Sequence, residues 1–89
     1  MAWRIEFDDA AIKDLAKLDT QIARRITGFL RERVAVLDDP RSIGDALKGS
    51  KLGAFWKYRV GDYRIISSIE DGFLRILVVK IGNRREVYR

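Results

Sequence analysis

The sequence predicts an α+β domain in the order β-α-α-β-β-β, an antiparallel meander sheet with a helical hairpin on one face. Three observations carry this reading. Apolar residues recur at three- and four-residue steps through most of the first forty residues. The period then changes to two between residues 54 and 81. The dipeptides Gly61-Asp62 and Asp71-Gly72 interrupt that second region where hairpin turns belong. A chain of 89 residues has room for one core, so residues 1–89 are read as a single domain.

The first strand is read over residues 2–7, where Trp3, Ile5 and Phe7 alternate with Arg4 and Glu6. Asp8 or Asp9 can cap the first helix by accepting from its free N–H groups. Its buried stripe is predicted to be Ile12, Leu15, Ala16 and Leu18. Asp19 or Thr20 can cap a second helix, of about 17 residues on the repeat of Ile22, Ile26, Phe29, Leu30, Val34 and Leu37. Pro40 pushes Asp39 out of the helical region and ends it. Residues 41–53 hold three glycines with mixed polarity and read as loop. Residues 54–60 form a strand with Trp56, Tyr58 and Val60 on one face and Phe55, Lys57 and Arg59 on the other. Residues 63–70 follow as a strand. Asp71-Gly72 signals a type I′ turn, and the apolar segment 73–81 is expected to sit centrally.

Composition narrows the function. There is no cysteine, hence no disulfide and no thiolate metal site, which fits a reducing cytoplasm. There is no histidine, which excludes a His-based general base, a catalytic triad and a His-ligated zinc. No carboxylate cluster has metal-ligand spacing, and no metal or cofactor is expected. No run of about 18 apolar residues offers a membrane span, and the start, MAWRIEFDD, lacks the apolar core of a signal peptide. Charge is uneven. Residues 1–40 hold 7 Lys and Arg against 8 Asp and Glu, whereas residues 41–89 hold 11 against 5. A basic half of this kind points to a polyanionic partner, nucleic acid first.

The helices must cover the face bearing Trp56, Tyr58 and Val60. Lys57 and Arg59 then project from the open face, joined by Arg64 if Tyr63 points to the core, with Arg84 just past the last strand. Cations converging on a concave sheet face suit a phosphodiester, because they stabilise the extra charge of its transition state. RNA supplies its own nucleophile, the 2′-OH. Without histidine, a lysine or tyrosine would have to work below its ordinary pKa of about 10. Tyr88 can stack on a base. Each residue also has a plainer reading. Lys57 and Arg59 can be a solvated strand face, Arg64 a partner of Glu70 or Asp62, Tyr88 a latch on the helices, and Arg84, Arg85 and Arg89 a solubilising tail.

The element order, with LKG (47–49), WKYRVGDYRII (56–66) and GNRREVYR (82–89), resembles the RelE toxins of the RelE/ParE toxin–antitoxin superfamily across essentially the whole chain. The resemblance implies a microbial RNase-like fold and metal-independent cleavage of messenger RNA in the ribosomal A site by 2′-OH attack. It implies a RelB-like antitoxin partner, operator DNA reached only through that antitoxin, no membrane association and a cytoplasmic location. Residue by residue, it gives Lys57 as base or charge stabiliser and Arg64 as the grip on the scissile phosphate. Arg84 stabilises charge and protonates the leaving group, and Tyr88 stacks on the substrate. Arg59, Lys48, Lys51, Arg85 and Arg89 are placed with RNA or ribosome binding. Three positions depart from the family pattern: Phe55 stands where a second lysine is common, Asn83 where histidine is, and Ser67 where an aromatic is. The rival within the fold is a ParE-like toxin acting on DNA gyrase; a third reading is a decayed toxin that only binds its antitoxin.

Overall fold

A computed structural model of the chain describes residues 2–47 and 55–87. Strand β1 (Arg4–Phe7) leads into helix α1 (Asp9–Ala16) and helix α2 (Thr20–Phe29), which a π-helical turn continues over Leu30–Val34. A 3-10 turn (Pro40–Ser42) and a two-residue strand β2 (Asp45–Ala46) follow. Strands β3 (Phe55–Val60), β4 (Tyr63–Glu70) and β5 (Arg75–Asn83) complete the fold. The sheet order is β1-β5-β4-β3-β2. The meander β2 to β5 is antiparallel as expected, and β1 adds to its far side parallel to β5. The expected central strand, β5, therefore has neighbours on both sides, while β4 occupies the middle of the five.

Both helices lie on one face over a core of Trp3, Ala11, Ile26, Leu30, Val34, Tyr58, Val60, Ile65, Ile76, Val78 and Ile81. Asp8 caps α1, its Oδ1 accepting from the Ala11 N–H at 2.9 Å. The inward stripe of α1 is Ala11, Leu15 and Leu18; Ile12 is 52% exposed and Ala16 is exposed, so the predicted stripe was one residue out of phase. The cause is Asp14, a polar residue that occupies the inward phase because the sheet edge uses it. Its Oδ2 accepts from the Ile81 N–H at 3.0 Å. In the second helix, the Ala35 N–H bonds back five residues to Leu30 O at 2.8 Å, and the widened turn buries both Val34 and Ala35.

Residues 38–47 are more ordered than a loop reading implies. Three aromatic side chains fasten this segment through its carbonyls. Trp3 Nε1 donates to Asp38 O at 3.4 Å, Tyr58 Oη to Pro40 O at 2.6 Å, and Trp56 Nε1 to Ile43 O at 2.8 Å. Burial pushes the Tyr58 hydroxyl well above its usual pKa, so it stays a neutral donor. Gly44 takes φ +82°, and a Cβ there would fall 2.5 Å from Lys57 O. Arg41 reaches across to Asp71 with two parallel bonds of 3.0 and 2.9 Å. The turn at 71–72 is not type I′. It is a 3-10 turn over Asp71–Phe73, closed by Leu74 in the left-handed region at φ 48°. The Gly61-Asp62 turn is a two-residue hairpin as predicted, with Gly61 at φ +59° as a type II′ turn requires.

A β-bulge decides what the second half of β5 presents. Ser67 pairs with Val78, but Ile66 pairs with Lys80, so Val79 and Lys80 together oppose one residue. Unbroken pairing would have set Val79 opposite Ile66 and turned Lys80 toward the helices. The extra residue reverses that phase. Ile81 joins Ile76 and Val78 in the core, and Lys80 and Gly82 go to the far face.

Two outcomes test these links. Gly44→Ala should lower unfolding stability by at least about 1–2 kcal/mol, the cost of a left-handed L-residue, with the Lys57 clash added; denaturant titration with an unchanged midpoint would exclude the contact. Arg41 holds the Asp71 carboxyl below the usual carboxylate range through its hydrogen bonds. Because the folded pKa is depressed, the stabilisation is present above the unfolded value of about 3.9 and lost as pH falls through the folded one. Arg41→Ala should therefore raise the Asp71 midpoint in a carbon-detected NMR titration.

Candidate nucleic-acid interface

The face opposite the helices is organised in rows across the strands. Arg59 stands opposite Arg64, which stands opposite Gly82. The next row runs Asp45, Lys57, Ile66, Lys80. At the other end, Arg4, Arg75 and Glu70 lie in one row beside Glu6. That far end is internally neutralised. Arg75 bonds Glu70, with Nε to Oε1 at 2.6 Å, and approaches Glu6 at 3.5 Å, while Arg4 lies 3.8 Å from Glu6. The near end carries Lys57, Arg59, Arg64, Lys80 and Arg84. The positive potential is therefore concentrated at one end of the sheet.

The sequence-predicted residues Lys57, Arg59 and Arg64 share this face, because Tyr63 packs toward the core. Lys57 is half-buried between Trp56 and Tyr58, both anchored to the 38–44 segment, so its backbone position is fixed from both sides. Arg59 is exposed. Arg64 folds back over the hairpin turn, Nη1 donating to Gly61 O and Tyr63 O at 3.1 Å each. It pairs with neither Glu70 nor Asp62 in those bonds, which rules out the plainer reading of that residue in these terms. Both partners are neutral carbonyls, which orient the guanidinium without cancelling its charge.

Arg84 begins the terminal turn beside the same hairpin. Its N–H donates to Asp62 O at 2.7 Å, and its Nε lies 4.0 Å from Asp62 Oδ1, with both side chains more than half exposed. One two-residue turn thus sets the positions of Arg64 and Arg84, twenty residues apart in sequence. The Arg85 N–H bonds Asn83 Oδ1 at 3.0 Å, and the Arg85 side chain is exposed. Tyr88, Arg89, Lys48 and Lys51 lie outside the described residues.

The face is not as open as expected. Leu47, Ile66 and Val87 form a second small core on it, with Phe55 and Val79 packed alongside, and Ile66 is only 4% exposed. The Glu86 and Val87 N–H groups both bond Asn83 O at 2.9 Å, a helical turn that folds the chain end back over Gly82. The face is therefore a cationic end abutting an apolar patch. Two features escaped the sequence reading. Lys80 shares a row with Lys57, for which the signal was the broken alternation of LVVKI. A cleft of about 340 Å³ runs along the β5 edge beyond β1, lined by Asp14, Lys17, Tyr63, Lys80, Asn83 and Glu86 among others.

Residues 5–88 match the model of a family described as the ParE toxin of type II toxin–antitoxin systems, parDE. The chain is 29% identical to the mRNA interferase toxin RelE of Escherichia coli K12 over 90 residues, covering 99% of this chain and 92% of that one. Its fold superposes on a chain of the RelBE2 toxin–antitoxin complex of Mycobacterium tuberculosis with a TM-score of 0.85, at 22% identity over 97% of this chain and 95% of that one. It also superposes on a chain of the archaeal RelE–RelB complex of Pyrococcus horikoshii, with a TM-score of 0.71 at 27% identity over 97% of this chain and 99% of that one.

The opposition of Arg59 and Arg64 places like charges directly across a strand pair. Arg59→Glu should raise stability by about 0.2–1 kcal/mol at low ionic strength, with the gain shrinking in 1 M salt. Paired denaturation curves at the two salt concentrations measure it; a loss of stability at low salt would show that the two guanidinium groups do not repel.

Proposed function

Because the chain belongs to the ParE toxin family of type II toxin–antitoxin systems, we propose that it is the toxin of such a pair. On this reading it is an endoribonuclease that cuts messenger RNA, ribosome-bound in the A site. The supporting observation is the unneutralised cationic end of the helix-free face, where Lys57, Arg59, Arg64 and Arg84 gather around one hairpin turn. That chemistry agrees with the mRNA interferase activity named for the relative from E. coli. The partner is a RelB-like antitoxin, in keeping with the complexes in which the structural neighbours occur. A substrate on ribosomes places the protein in the cytoplasm.

The reaction is internal transfer at phosphorus. The 2′-oxygen bonds to the adjacent phosphorus as its proton leaves, and the bond to the 5′-oxygen breaks as that oxygen gains a proton. The products are a 2′,3′-cyclic phosphate and a 5′-hydroxyl. The transition state carries more negative charge on the non-bridging oxygens than the ground state does, so cations fixed in advance lower its energy selectively. Arg64, oriented by Gly61 O and Tyr63 O, is assigned to those oxygens. Arg84, on the more mobile terminal turn, is assigned to the leaving 5′-oxygen. Lys57 faces the nucleophile side, and Arg59 holds the flanking backbone. Tyr88 enters as the stacking residue on the family resemblance alone, with Lys48, Lys51, Arg85 and Arg89 as further RNA or ribosome contacts. A cationic set of this kind repels a divalent metal, so the proposed chemistry is metal-independent.

The family description carries the ParE name, which keeps the gyrase-directed reading as the one alternative. Cleavage mapping in cells after induction without the antitoxin separates the two. Cuts in ribosome-bound message are expected; intact message with stalled gyrase–DNA complexes would overturn the nuclease. Arg64→Ala and Arg84→Ala should each reduce cleavage about 10²-fold or more with the fold retained. A double variant that cleaves like the wild type would refute both assignments.

A further inference from the structure

The bulge in β5 puts Lys80 where it has a use that the reading above does not assign. In the row Lys57–Ile66–Lys80, Ile66 is flanked by a lysine on each neighbouring strand. Two interstrand spacings of about 4.8 Å separate the two lysine backbones by about 10 Å, which flexible four-carbon stems readily span. Ile66 is buried under Leu47 and Val87, so no polar side chain stands between them in the row. Beyond Lys80 the sheet ends, because β1 stops pairing at Val78. Lys17, at the end of α1, lines the same edge cleft. The three lysines therefore mark a line across the strands, from β3 over β5 and onto the helix end. Two carboxylates also line that cleft. Asp14 is engaged by the Ile81 N–H, and Glu86 sits on the exposed terminal turn.

We propose that Lys80 is a further phosphate-contacting residue, and that the RNA backbone crosses the sheet transverse to its strands, from Lys57 over Ile66 to Lys80 and the β5 edge. The proposal rests on the RNA-cleaving reading for its ligand but not for its geometry. A path along the strands instead would leave the unpaired cations behind after Lys57 and run into the neutralised Arg4, Glu6, Glu70 and Arg75 lattice. The bulge is what makes the crossing path available, since unbroken pairing would direct Lys80 at the helices.

The test is the salt dependence of binding to a short single-stranded RNA that is 2′-O-methylated throughout and so cannot be cut. Each lost phosphate contact on a single strand lowers the slope of log K against log salt by about 0.7. Lys80→Ala in the full chain should lose that much, as should Lys57→Ala, while Lys80→Arg keeps the wild-type slope. Lys13→Ala, on the exposed face of α1, controls for general charge and should leave the slope unchanged. Circular dichroism melts confirm that the variants fold, and Lys80→Met, which keeps the stem, should match Lys80→Ala. A wild-type slope in Lys80→Ala, or an equal loss in Lys13→Ala, overturns the proposal. The two readings fail separately. Unmethylated RNA that binds with the expected slopes but is never cut ends the nuclease reading and leaves Lys80 standing. RNA that is cut by a chain whose slope ignores Lys80 does the reverse.

Discussion

The hydrogen bond from the Ile81 N–H to Asp14 is the constraint on which the two faces of this sheet depend. It sits one residue past the bulge, on the edge of β5 that β1 no longer covers. An extra residue in an otherwise regular ladder leaves an edge donor without a strand partner, and a helix carboxylate supplies the acceptor. With that donor satisfied, β5 can bury Ile76 and Val78 in one phase and Ile81 in the other. The helices thus keep a continuous apolar floor. The opposite face gains a lysine and a glycine in place of a valine and an isoleucine. Gly82 in turn leaves room for Val87 to fold back and close the small second core. A single polar contact between α1 and β5 therefore links the position of the helix pair to the chemistry of the far face.

The arginines of that face are held differently from those at its other end. Arg4 and Arg75 are neutralised by Glu6 and Glu70, which is the usual fate of surface charge on a sheet and contributes at most modestly to stability. Arg64 is held by neutral carbonyls of the hairpin turn, and Arg84 by a backbone bond to the same turn with only a loose approach to Asp62. Orientation without neutralisation leaves both charges available to a ligand. It also leaves them repelling each other and Arg59, a cost accepted at one end of a sheet whose other end avoids it. This contrast between the two ends is a stronger functional signal than net charge, because both ends are rich in arginine.

Much of the fold was legible because it depends on period and punctuation. The alternation of Trp56, Tyr58 and Val60, the Gly61-Asp62 turn and the Asp8 cap each act within a few residues, and each is found as read. The misses share a cause in contacts distant in sequence. Ile12 looks like a stripe residue, but the inward phase of α1 is set by Asp14, whose partner is 67 residues away. The segment 41–53 looks like loop, but Tyr58, Trp56 and Asp71 give part of it fixed partners. Of the site, the shared face of Lys57, Arg59 and Arg64 follows from strand parity. Lys80 does not, since parity holds only until a bulge, and a bulge is visible in sequence only as an alternation that fails. The buried patch of Leu47, Ile66 and Val87 was hidden for the same reason: its members come from three separate segments.

The combination of an apolar patch with unneutralised cations bears on the antitoxin as well as the RNA. A protein chain covering Lys57, Arg59, Arg64 and Arg84 removes their hydration, and that is tolerable only if it brings carboxylates into register with them. The small core of Leu47, Ile66 and Val87, with Phe55 and Val79 half-exposed beside it, offers apolar area next to those charges. An antitoxin segment suited to this surface is therefore amphipathic, with acidic residues over the hairpin-turn end and apolar ones over the middle of the sheet. RNA and antitoxin would then compete for the same arginines by different means. A polyanion binds them through counterion release and weakens steeply with salt. A partner that also buries apolar surface is less sensitive to it. The same face can be open to substrate and yet be held tightly by the antitoxin at physiological ionic strength.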